Sequence, residues 1–343
     1  MTFASENYDK THPQILKALI KSNKGFAASY GNDECTLNAT KKFKEVFGSN
    51  ELDVFFCFNG TGANNFALSC ITEKHSSILC SDVSHLYLSE STAPETFTGC
   101  RLYPVKSKKG KIIIEDFLLK AKAKNDVHLP PAAVLTITQP TEYGTVYDLE
   151  ELKIIGRHCK ENNILLHVDG ARLFNALVAL NCSLSNFIKI SGADVLTLGG
   201  TKAGLMFGEA VVFFNSKRFK NLRYNHKRSM QLASKNRFIA AQFAELFKDG
   251  HWKKIATHTN KLAKYFEQEL AKLNSTIAVY PVQTNMLFLK MGKAQFTKLK
   301  SVALFYRWNI QQEEVRFAFS FGNSIKEIDS FLKGYKLFNK KRV

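Results

Sequence analysis

Seven short runs of apolar residues, separated by segments with helical periodicity, limit most strongly what this chain can fold into. The runs lie at 54–58, 77–80, 102–103, 133–138, 164–168, 194–198 and 210–214. They are rich in β-branched or aromatic residues and end at glycine or polar residues, which is typical of strands. Because strands that alternate with helices usually form a parallel sheet, the pattern predicts an α/β fold with a mostly parallel seven-stranded sheet covered by helices.

From about residue 229 the pattern lengthens into helical periodicity, which covers 238–247 and 255–273. Strand-like segments follow at 277–291, 301–308 and 315–321, and a last amphipathic helix lies near 325–338. We place the boundary between two domains near residue 250. No repeat or low-complexity linker marks the boundary. We expect a large domain over 1–250 and a small α+β domain over 251–343.

The chain is strongly basic, with 48 lysine and arginine residues against 30 acidic residues and a formal net charge of +18. Such a charge can attract nucleic acid, anionic lipid or phosphorylated ligands. The basic residues are nevertheless spread along the chain, and no helix-turn-helix, zinc-finger or RRM signature accompanies them. We therefore expect no nucleic-acid partner.

The N-terminus and the cysteines bear on the cellular compartment. Residues 1–10 have neither a charged n-region nor an apolar h-region for secretion. No stretch approaches the roughly 18 apolar residues of a membrane-spanning helix. The seven cysteines form an odd set without a C-x-x-C pair, which favours reduced thiols over disulfides or a zinc site. We expect a soluble cytoplasmic protein with no membrane partner and no metal.

The first of three chemical signals is the segment 59–68, where a predicted strand is followed by a turn with Gly60 and Gly62 and by a predicted helix start. Glycine lets the backbone approach a ligand closely, and free N–H groups at a helix N-terminus bind phosphate. The segment lacks the third glycine of a dinucleotide fingerprint and the Gly-Lys-Ser/Thr of a P-loop. An ordinary strand-to-helix turn is the alternative.

The second and third signals are polar residues at the ends of two predicted strands, Asp169 and Lys202. They are 33 residues apart, the length of one helix-plus-strand unit, so both can lie at the sheet edge where ligands gather. Asp169 could equally cap a helix, and His167 on the same face could be a core or supporting residue. A lysine beside a carboxylate and a phosphate-binding helix is what pyridoxal phosphate needs. The amine forms a Schiff base, and the carboxylate keeps the pyridine nitrogen protonated.

Several motifs occur in an order that identifies a family. They lie at 3–7, 12–13, 30–33, 60–64, 93–99, 138–147, 167–172, 199–206 and 231–242, with the last match near 315–316. Together they resemble the threonine aldolase family of pyridoxal-phosphate enzymes over nearly the whole chain. The resemblance implies the PLP-dependent transferase-like fold, fold type I, with a large cofactor domain and a small C-terminal domain. One departure is Glu6, which stands where the family commonly has aspartate.

The resemblance also assigns a cofactor site. It implies that Lys202 forms the Schiff base with pyridoxal 5'-phosphate, that Asp169 pairs with the ring nitrogen and that His85 stacks on the ring. His128 matches a histidine near the substrate hydroxyl, where an imidazole can guide removal of the proton. Without the resemblance, these would be a surface lysine, a helix cap, a structural histidine and an exposed loop histidine. The other implied cofactor-binding residues are Gly60, Thr61, Arg172, Thr201 and Lys227.

A second group of residues is implied at the substrate. Arg316 matches the small-domain arginine that binds the amino-acid carboxylate, for which a guanidinium has bidentate geometry. Arg172 and Ser5 match supporting contacts, so the N-terminal segment is expected to reach the active site. Tyr30 and Lys227 resemble positions that reach the site of a neighbouring subunit, which implies a homodimer or homotetramer with shared sites. For Arg316 alone, a surface ion pair is the alternative.

The activity implied by the resemblance is retro-aldol cleavage of L-threonine or L-allo-threonine, and of related β-hydroxy-α-amino acids, to glycine and an aldehyde. This would make the protein a carbon–carbon lyase. Two alternatives stay open. One is β-elimination from an aromatic or sulfur amino acid on the same scaffold. The other, from a different class, is a basic nucleic-acid-binding protein.

Overall fold

A central sheet of seven strands organises the larger part of the chain in the computed structural model, which describes residues 1–122, 126–273 and 278–339. The strands of this part are β1 (Leu52–Cys57), β2 (Ser77–Ser81), β3 (Arg101–Val105), β4 (Ser107–Lys108), β5 (Lys111–Ile112), β6 (Ala132–Thr138), β7 (Leu165–Gly170), β8 (Val195–Gly199) and β9 (Glu209–Phe214). The order across the sheet is β1-β9-β8-β7-β6-β2-β3, while β4 and β5 form a separate hairpin. Each of the seven predicted runs thus contributes one strand.

The sheet is parallel except at β9, which pairs antiparallel with both β1 and β8. The pairs β8–β7, β7–β6, β6–β2 and β2–β3 are all parallel. Since β1 and β8 both oppose β9, they run in the same direction. Six strands therefore end at the same edge of the sheet.

Helices cover both faces of the sheet. Those before the small domain are α1 (Pro13–Ser22), α2 (Glu34–Phe47), α3 (Gly60–Ile71), α4 (His85–Leu88), α5 (Ala93–Thr98), α6 (Ile114–Ala121), α7 (Leu149–Glu161), α8 (Leu173–Ala179), α9 (Leu184–Ser191), α10 (Leu222–Arg228) and α11 (Arg237–Phe247). Alternate strand residues enter two separate cores: Leu196 lies with Phe43 from α2, while Val195 lies with Phe66 from α3. This two-sided burial explains the nearly continuous apolar strands.

The C-terminal part has its own antiparallel sheet of three strands, β10 (Met286–Lys290), β11 (Tyr306–Asn309) and β12 (Glu314–Ala318), in the order β10-β12-β11. Its helices are α12 (His251–Ala271), α13 (Lys293–Leu299) and α14 (Ile325–Asn339). The strands are shorter than the predicted segments. Residue 277 lies outside the described residues, and within 301–308 Ala303 and Phe305 are buried in the core before the strand begins.

The N-terminal residues pack on the C-terminal part of the chain. Phe3 is buried in its core, the Phe3 N–H donates to the Leu304 carbonyl at 2.7 Å, and the Ala318 N–H donates to the Phe3 carbonyl at 2.8 Å. Glu6, three residues later, contacts both Arg172 after β7 and Asn285 before β10, so residues 5 and 6 lie between the two parts of the chain.

The predicted boundary near residue 250 coincides with the start of α12, which begins at His251, directly after Gly250 with a φ of 64°.

The cysteines and the longest apolar helices complete the description. All seven cysteines carry free thiols, and Cys57, Cys80, Cys100 and Cys159 are buried. Within the described ranges no single helix combines the length and the apolar character needed to cross a membrane. The short helices α8 and α9 have the required length and apolar composition only as a pair, and a bend of 90° separates them.

The buried N-terminal anchor leads to a stability prediction. Phe3→Ala removes a side chain that is 1% exposed, and we expect it to lower the free energy of unfolding by about 3–5 kcal/mol. Phe26→Ala is the matched control, because Phe26 is fully exposed and its loss should change that free energy by less than about 0.5 kcal/mol. Urea denaturation followed by circular dichroism measures both; equal losses would contradict the packing described here.

Candidate active site

A cavity of about 500 Å³ lies where the strands end. Its wall includes Thr61 after β1, Glu142 after β6, Asp169 near the end of β7, and Lys202 after β8. Ligands in open α/β sheets bind at the carboxyl ends of the strands. The sequence expectation for Asp169 and Lys202 agrees with this position, because both line the same cavity.

A close backbone approach brings Lys202 and Asp169 together. A Cβ atom on Gly199 would lie 2.2 Å from the Ala171 carbonyl oxygen, so only glycine fits where the chain leaves β8 beside the turn after β7. Burial lowers the pKa of Lys202, and the positive charge of Arg172 lowers it further, although Glu6, Asp169 and Glu209 oppose the shift. A lower pKa favours the neutral amine, which is the nucleophilic form.

Asp169 is buried and fixed at both carboxylate oxygens. Oδ1 accepts a hydrogen bond from the Ala171 N–H at 3.0 Å, and Oδ2 accepts one from the Asn64 side-chain amide at 3.0 Å. Asn64 also donates to Glu90, which in turn lies 3.0 Å from Nδ1 of His85. This chain of contacts orients the carboxylate and, through Glu90, the half-exposed His85 side chain at the cavity.

The N-terminus of α3 opens onto the cavity. Asn59 caps the helix by accepting a hydrogen bond from the Gly62 N–H at 2.8 Å. Gly60 and Thr61 line the cavity, and a Cβ atom on Gly60 would meet no atom within 4 Å. The backbone of this first turn is therefore accessible to an anion, as the dipole and the free N–H groups of a helix N-terminus favour.

Glu6 links the N-terminal segment to Arg172, after β7, and to Asn285, before β10. Its carboxylate accepts two hydrogen bonds from Arg172, from Nε at 2.5 Å and from Nη2 at 2.8 Å, and one from Asn285 at 2.7 Å. Burial alone would raise the pKa of Glu6, but the charge and hydrogen bonds of Arg172, with the charge of Lys202, lower it to about 2. Glu6 is therefore a fixed negative charge beside Arg172, and Ser5 lines the cavity next to it.

Arg316 is a buried cation at the opposite wall. Its Nη2 donates to the Ala4 carbonyl at 3.1 Å, and its guanidinium lies over the rings of Tyr306 and Trp308 at 5.2 and 4.8 Å. Burial and the nearby charge of Arg172 lower its pKa to about 10. Within the described part of the chain, its buried Nε has no hydrogen-bond partner and its guanidinium has no salt bridge. Such a cation is suited to an incoming anion.

Two cavity carboxyl groups, Glu142 and Glu209, were not singled out from the sequence. Burial raises the pKa of each to about 7. Glu209 accepts a hydrogen bond from the Gly200 N–H at 2.7 Å beside Lys202. Glu142 follows the end of β6, so the strand-end rule that marked Asp169 applies to it as well. Of the other missed residues, Asn64 and Glu90 show no local signal, because their contacts join distant segments.

Four residues considered at the sequence level lie outside the cavity wall. His167 is buried in the sheet, where its Nε2 lies 2.9 Å from the Thr197 hydroxyl and burial lowers its pKa to about 4, as in a core histidine. His128 is exposed in the loop before β6. Tyr30 is exposed, and the Lys227 amine lies 4.9 Å from its ring centre. The other predicted site residues share the cavity: Ser5, Gly60, Thr61, His85, Asp169, Arg172, Thr201, Lys202 and Arg316.

The assembled site can perform several tasks in one place. It offers an amine with a lowered pKa, a fixed buried carboxylate, an open helix N-terminus and an unpaired guanidinium. These groups suit, in turn, a carbonyl carbon, a protonated ring nitrogen, a phosphate and a carboxylate.

Known proteins resemble this chain in sequence over most of its length. The family model described as beta-eliminating lyase matches residues 2–293. A low specificity L-threonine aldolase of a Pseudomonas species is 39% identical over 300 residues, covering 87% of this chain and 86% of the relative. The low specificity L-threonine aldolase of Pseudomonas aeruginosa is 35% identical over 339 residues, covering 98% and 97%.

Solved structures agree in fold. A threonine aldolase of Leishmania major superposes with a TM-score of 0.93 at 26% identity, over 98% of this chain and 99% of that one. A NifS-like protein of Rickettsia africae has a TM-score of 0.77 at 16% identity, with 99% of both chains covered, which shows the fold alone. These are fold type I structures of pyridoxal-phosphate enzymes, so the predicted fold class is confirmed.

The Glu6–Arg172 pair leads to a pH prediction. Because the pKa of Glu6 in the folded protein, about 2, lies below its ordinary value of 4.5, the group stabilises the fold above pH 4.5. That contribution is lost as the pH falls towards 2. We expect Glu6→Gln to be less stable than the wild type at neutral pH and to lose less stability on acidification.

The measurement is the urea midpoint between pH 7 and pH 3, with exposed Glu161→Gln as the control variant. Parallel pH dependence of the wild type and Glu6→Gln would show that Glu6 carries no such charge linkage.

Proposed function

This chain belongs to the beta-eliminating lyase family, and from that premise we propose that it cleaves L-threonine or L-allo-threonine to glycine and acetaldehyde. Related β-hydroxy-α-amino acids would give glycine and the corresponding aldehyde. The observation that carries the proposal is the meeting of Lys202, Asp169, the α3 N-terminus and unpaired Arg316 around one cavity. The two Pseudomonas relatives, which cover 87% and 98% of this chain, are named low specificity L-threonine aldolases.

The residues present fit pyridoxal 5'-phosphate as the cofactor. The open first turn of α3, with Gly60 and Thr61, would hold the phosphate, and Thr201 at the same cavity would add a hydroxyl. Asp169 would face the ring nitrogen, since Asn64 and the Ala171 N–H already fix its two oxygens. When bound, the cofactor draws electrons from the bonds of the substrate Cα into its ring.

Lys202 is the proposed attachment point. Its lowered pKa leaves a larger fraction of neutral amine at neutral pH, and the neutral amine is the form that attacks a carbonyl carbon. Asp169 lines the same cavity as that amine, at the end of the strand next to β8. A lysine and a carboxylate at neighbouring strand ends can thus act on the same ligand.

Arg316 is proposed to bind the substrate carboxylate. Its Nε is buried without a partner among the described residues, and the rings of Tyr306 and Trp308 limit where the guanidinium can turn. Arg172 has two of its donors occupied by Glu6, which leaves the rest of its five donors for the cavity. Ser5 would add a hydroxyl at the same wall.

The remaining assignments concern the rim of the site and the assembly. We propose that His85, held at Nδ1 by Glu90, lies against the cofactor ring. His128, exposed in this chain, keeps its role near the substrate hydroxyl as a prediction. Tyr30 and Lys227, paired at the surface, are proposed to serve a neighbouring subunit in a homodimer or homotetramer. The exposed apolar side chains on nearby loops that support such an assembly are Phe58, Met206, Phe207 and Met230.

The compartment is also a proposal. Seven free thiols, four of them buried, suit a reducing compartment better than an oxidising one, and we propose the cytoplasm.

Product analysis tests the activity. With pyridoxal phosphate and L-threonine, we expect equal amounts of glycine and acetaldehyde from the wild type. Lys202→Ala should give neither product, because Lys202 is the one lysine among the described residues that lines the cavity. Lys261→Ala, a change on the surface of α12, should behave like the wild type.

The rival reaction gives a different result. If the protein forms pyruvate and ammonia from an aromatic or sulfur amino acid and no acetaldehyde from threonine, its reaction is β-elimination and not aldol cleavage. Tight binding of DNA at physiological salt without any cofactor absorbance would contradict an enzyme altogether.

A second prediction concerns the carboxylate site. Arg316→Lys keeps the charge but loses bidentate geometry, and we expect kcat/KM for L-threonine to fall about 10- to 100-fold, mainly through KM. Cofactor absorbance should not change. Arg157→Lys, an exposed position on α7, is the control, and an unchanged KM in Arg316→Lys would place the carboxylate elsewhere.

A further inference from the structure

Glu142 is a cavity carboxyl group to which the assignments above give no role. It lies in the turn after β6, where Oε1 accepts hydrogen bonds from the His85 N–H at 2.7 Å and from the Thr138 hydroxyl at 2.9 Å. The other oxygen, Oε2, is buried and has no hydrogen-bond partner in the described ranges. One oxygen therefore holds the group in place, and the other remains available to a proton.

The surroundings of Glu142 set its affinity for that proton. Burial raises its pKa to about 7, and the negative charge of Asp169 raises it, while the hydrogen bonds from His85 and Thr138 act in the opposite direction. A carboxyl group with this pKa exchanges a proton readily near neutral pH. The titratable and charged groups that interact with it are Cys80, His85, Tyr143, Tyr147, Asp169 and Arg172.

The other carboxyl groups at the cavity are less available. Both oxygens of Asp169 are hydrogen-bonded. Glu209 is engaged by the Gly200 N–H and the Thr201 side chain. Like Glu142, Glu90 has one buried oxygen without a partner among the described residues, but Glu90 is only 4% exposed and its Oε1 is shared by Asn64 and His85. Glu142 is more exposed than Glu90 or Asp169, because it is only half-buried.

We propose that the Glu142 carboxylate is the catalytic base that accepts the proton of the substrate β-hydroxyl during cleavage. The inference rests on the proposed function, and it gives to Glu142, which lines the cavity, the proton removal that the resemblance connects with His128, which is exposed outside the cavity wall. The O–H proton moves to Glu142, and the O–H electron pair forms the second bond of the aldehyde carbonyl. The Cα–Cβ bond breaks, and its electron pair stays on Cα, which takes up a proton to give glycine. Glu142 then returns its proton to solvent, so no further reactant is needed.

The role predicts a separation between two reactions at the same site. Cleavage needs an acceptor for the hydroxyl proton, whereas exchange of the glycine Cα–H with solvent deuterium involves no hydroxyl. Glu142→Gln keeps the shape and the oxygen that accepts from His85 but cannot take a proton. We expect its kcat for L-threonine to fall about 10²- to 10⁴-fold. Its rate of glycine exchange, followed by NMR in D2O, and its cofactor absorbance should stay close to those of the wild type.

The pH profile and two further variants sharpen the test. Cleavage by the wild type should decline as the pH falls below about 7, because the carboxylate becomes protonated. Glu142→Asp, which retains a carboxyl group, should recover part of the activity together with this acidic limb, whereas Glu142→Gln should lack the limb. Glu161→Gln, on the exposed end of α7, should match the wild type in all three measurements.

Two results would overturn the assignment. Near wild-type cleavage by Glu142→Gln would show that another group takes the proton. Equal loss of cleavage and glycine exchange, without recovery in Glu142→Asp, would show that Glu142 supports the fold or the cofactor and does not act on the hydroxyl. Failure of the proposed function is distinguishable, because the wild type itself would then release no aldehyde, and both proposals would fall together.

Discussion

The shared direction of six strands is the constraint on which the rest of the structure depends. Because β1, β6, β7 and β8 all end at one edge of the sheet, residues more than a hundred positions apart in sequence reach one cavity. Burial on both faces holds these strands rigidly. The side chains of the site therefore lie at the strand ends or in the short turns that follow them, where the sheet positions them.

Charge balance is the second element of the site. Arg172 and Arg316 bring two guanidinium cations to the cavity beside the Lys202 amine, and among the described residues Glu6 forms the salt bridge to Arg172. Arg316 forms no salt bridge with any described residue, which suits a ligand that supplies its own carboxylate. The net charge of +18 did not indicate this arrangement, since Arg172, Lys202 and Arg316 are the lysine and arginine residues that line the cavity in the described part of the chain.

The sequence was sufficient for the sheet and for the pair at its edge. Strong apolar runs located all seven strands, and the spacing of Asp169 and Lys202 placed them at one cavity. Contacts between distant segments could not be predicted from the sequence. Phe3 packs in the core of the C-terminal part, and Glu6 contacts Arg172 and Asn285. The sequence showed Glu142 only as a member of the motif at 138–147. Its properties at the cavity come from burial and from the hydrogen bond of the His85 N–H, and neither of these produces a local sequence pattern.

Lys202 is the amine at which we propose that the cofactor is held. Borohydride reduction of the protein loaded with pyridoxal phosphate, followed by peptide mapping, measures this directly without relying on turnover. We expect a single pyridoxyl group on the peptide that carries Lys202, and none in Lys202→Ala. A pyridoxyl group on any other lysine of the wild type, or no labelled peptide at all, would contradict it.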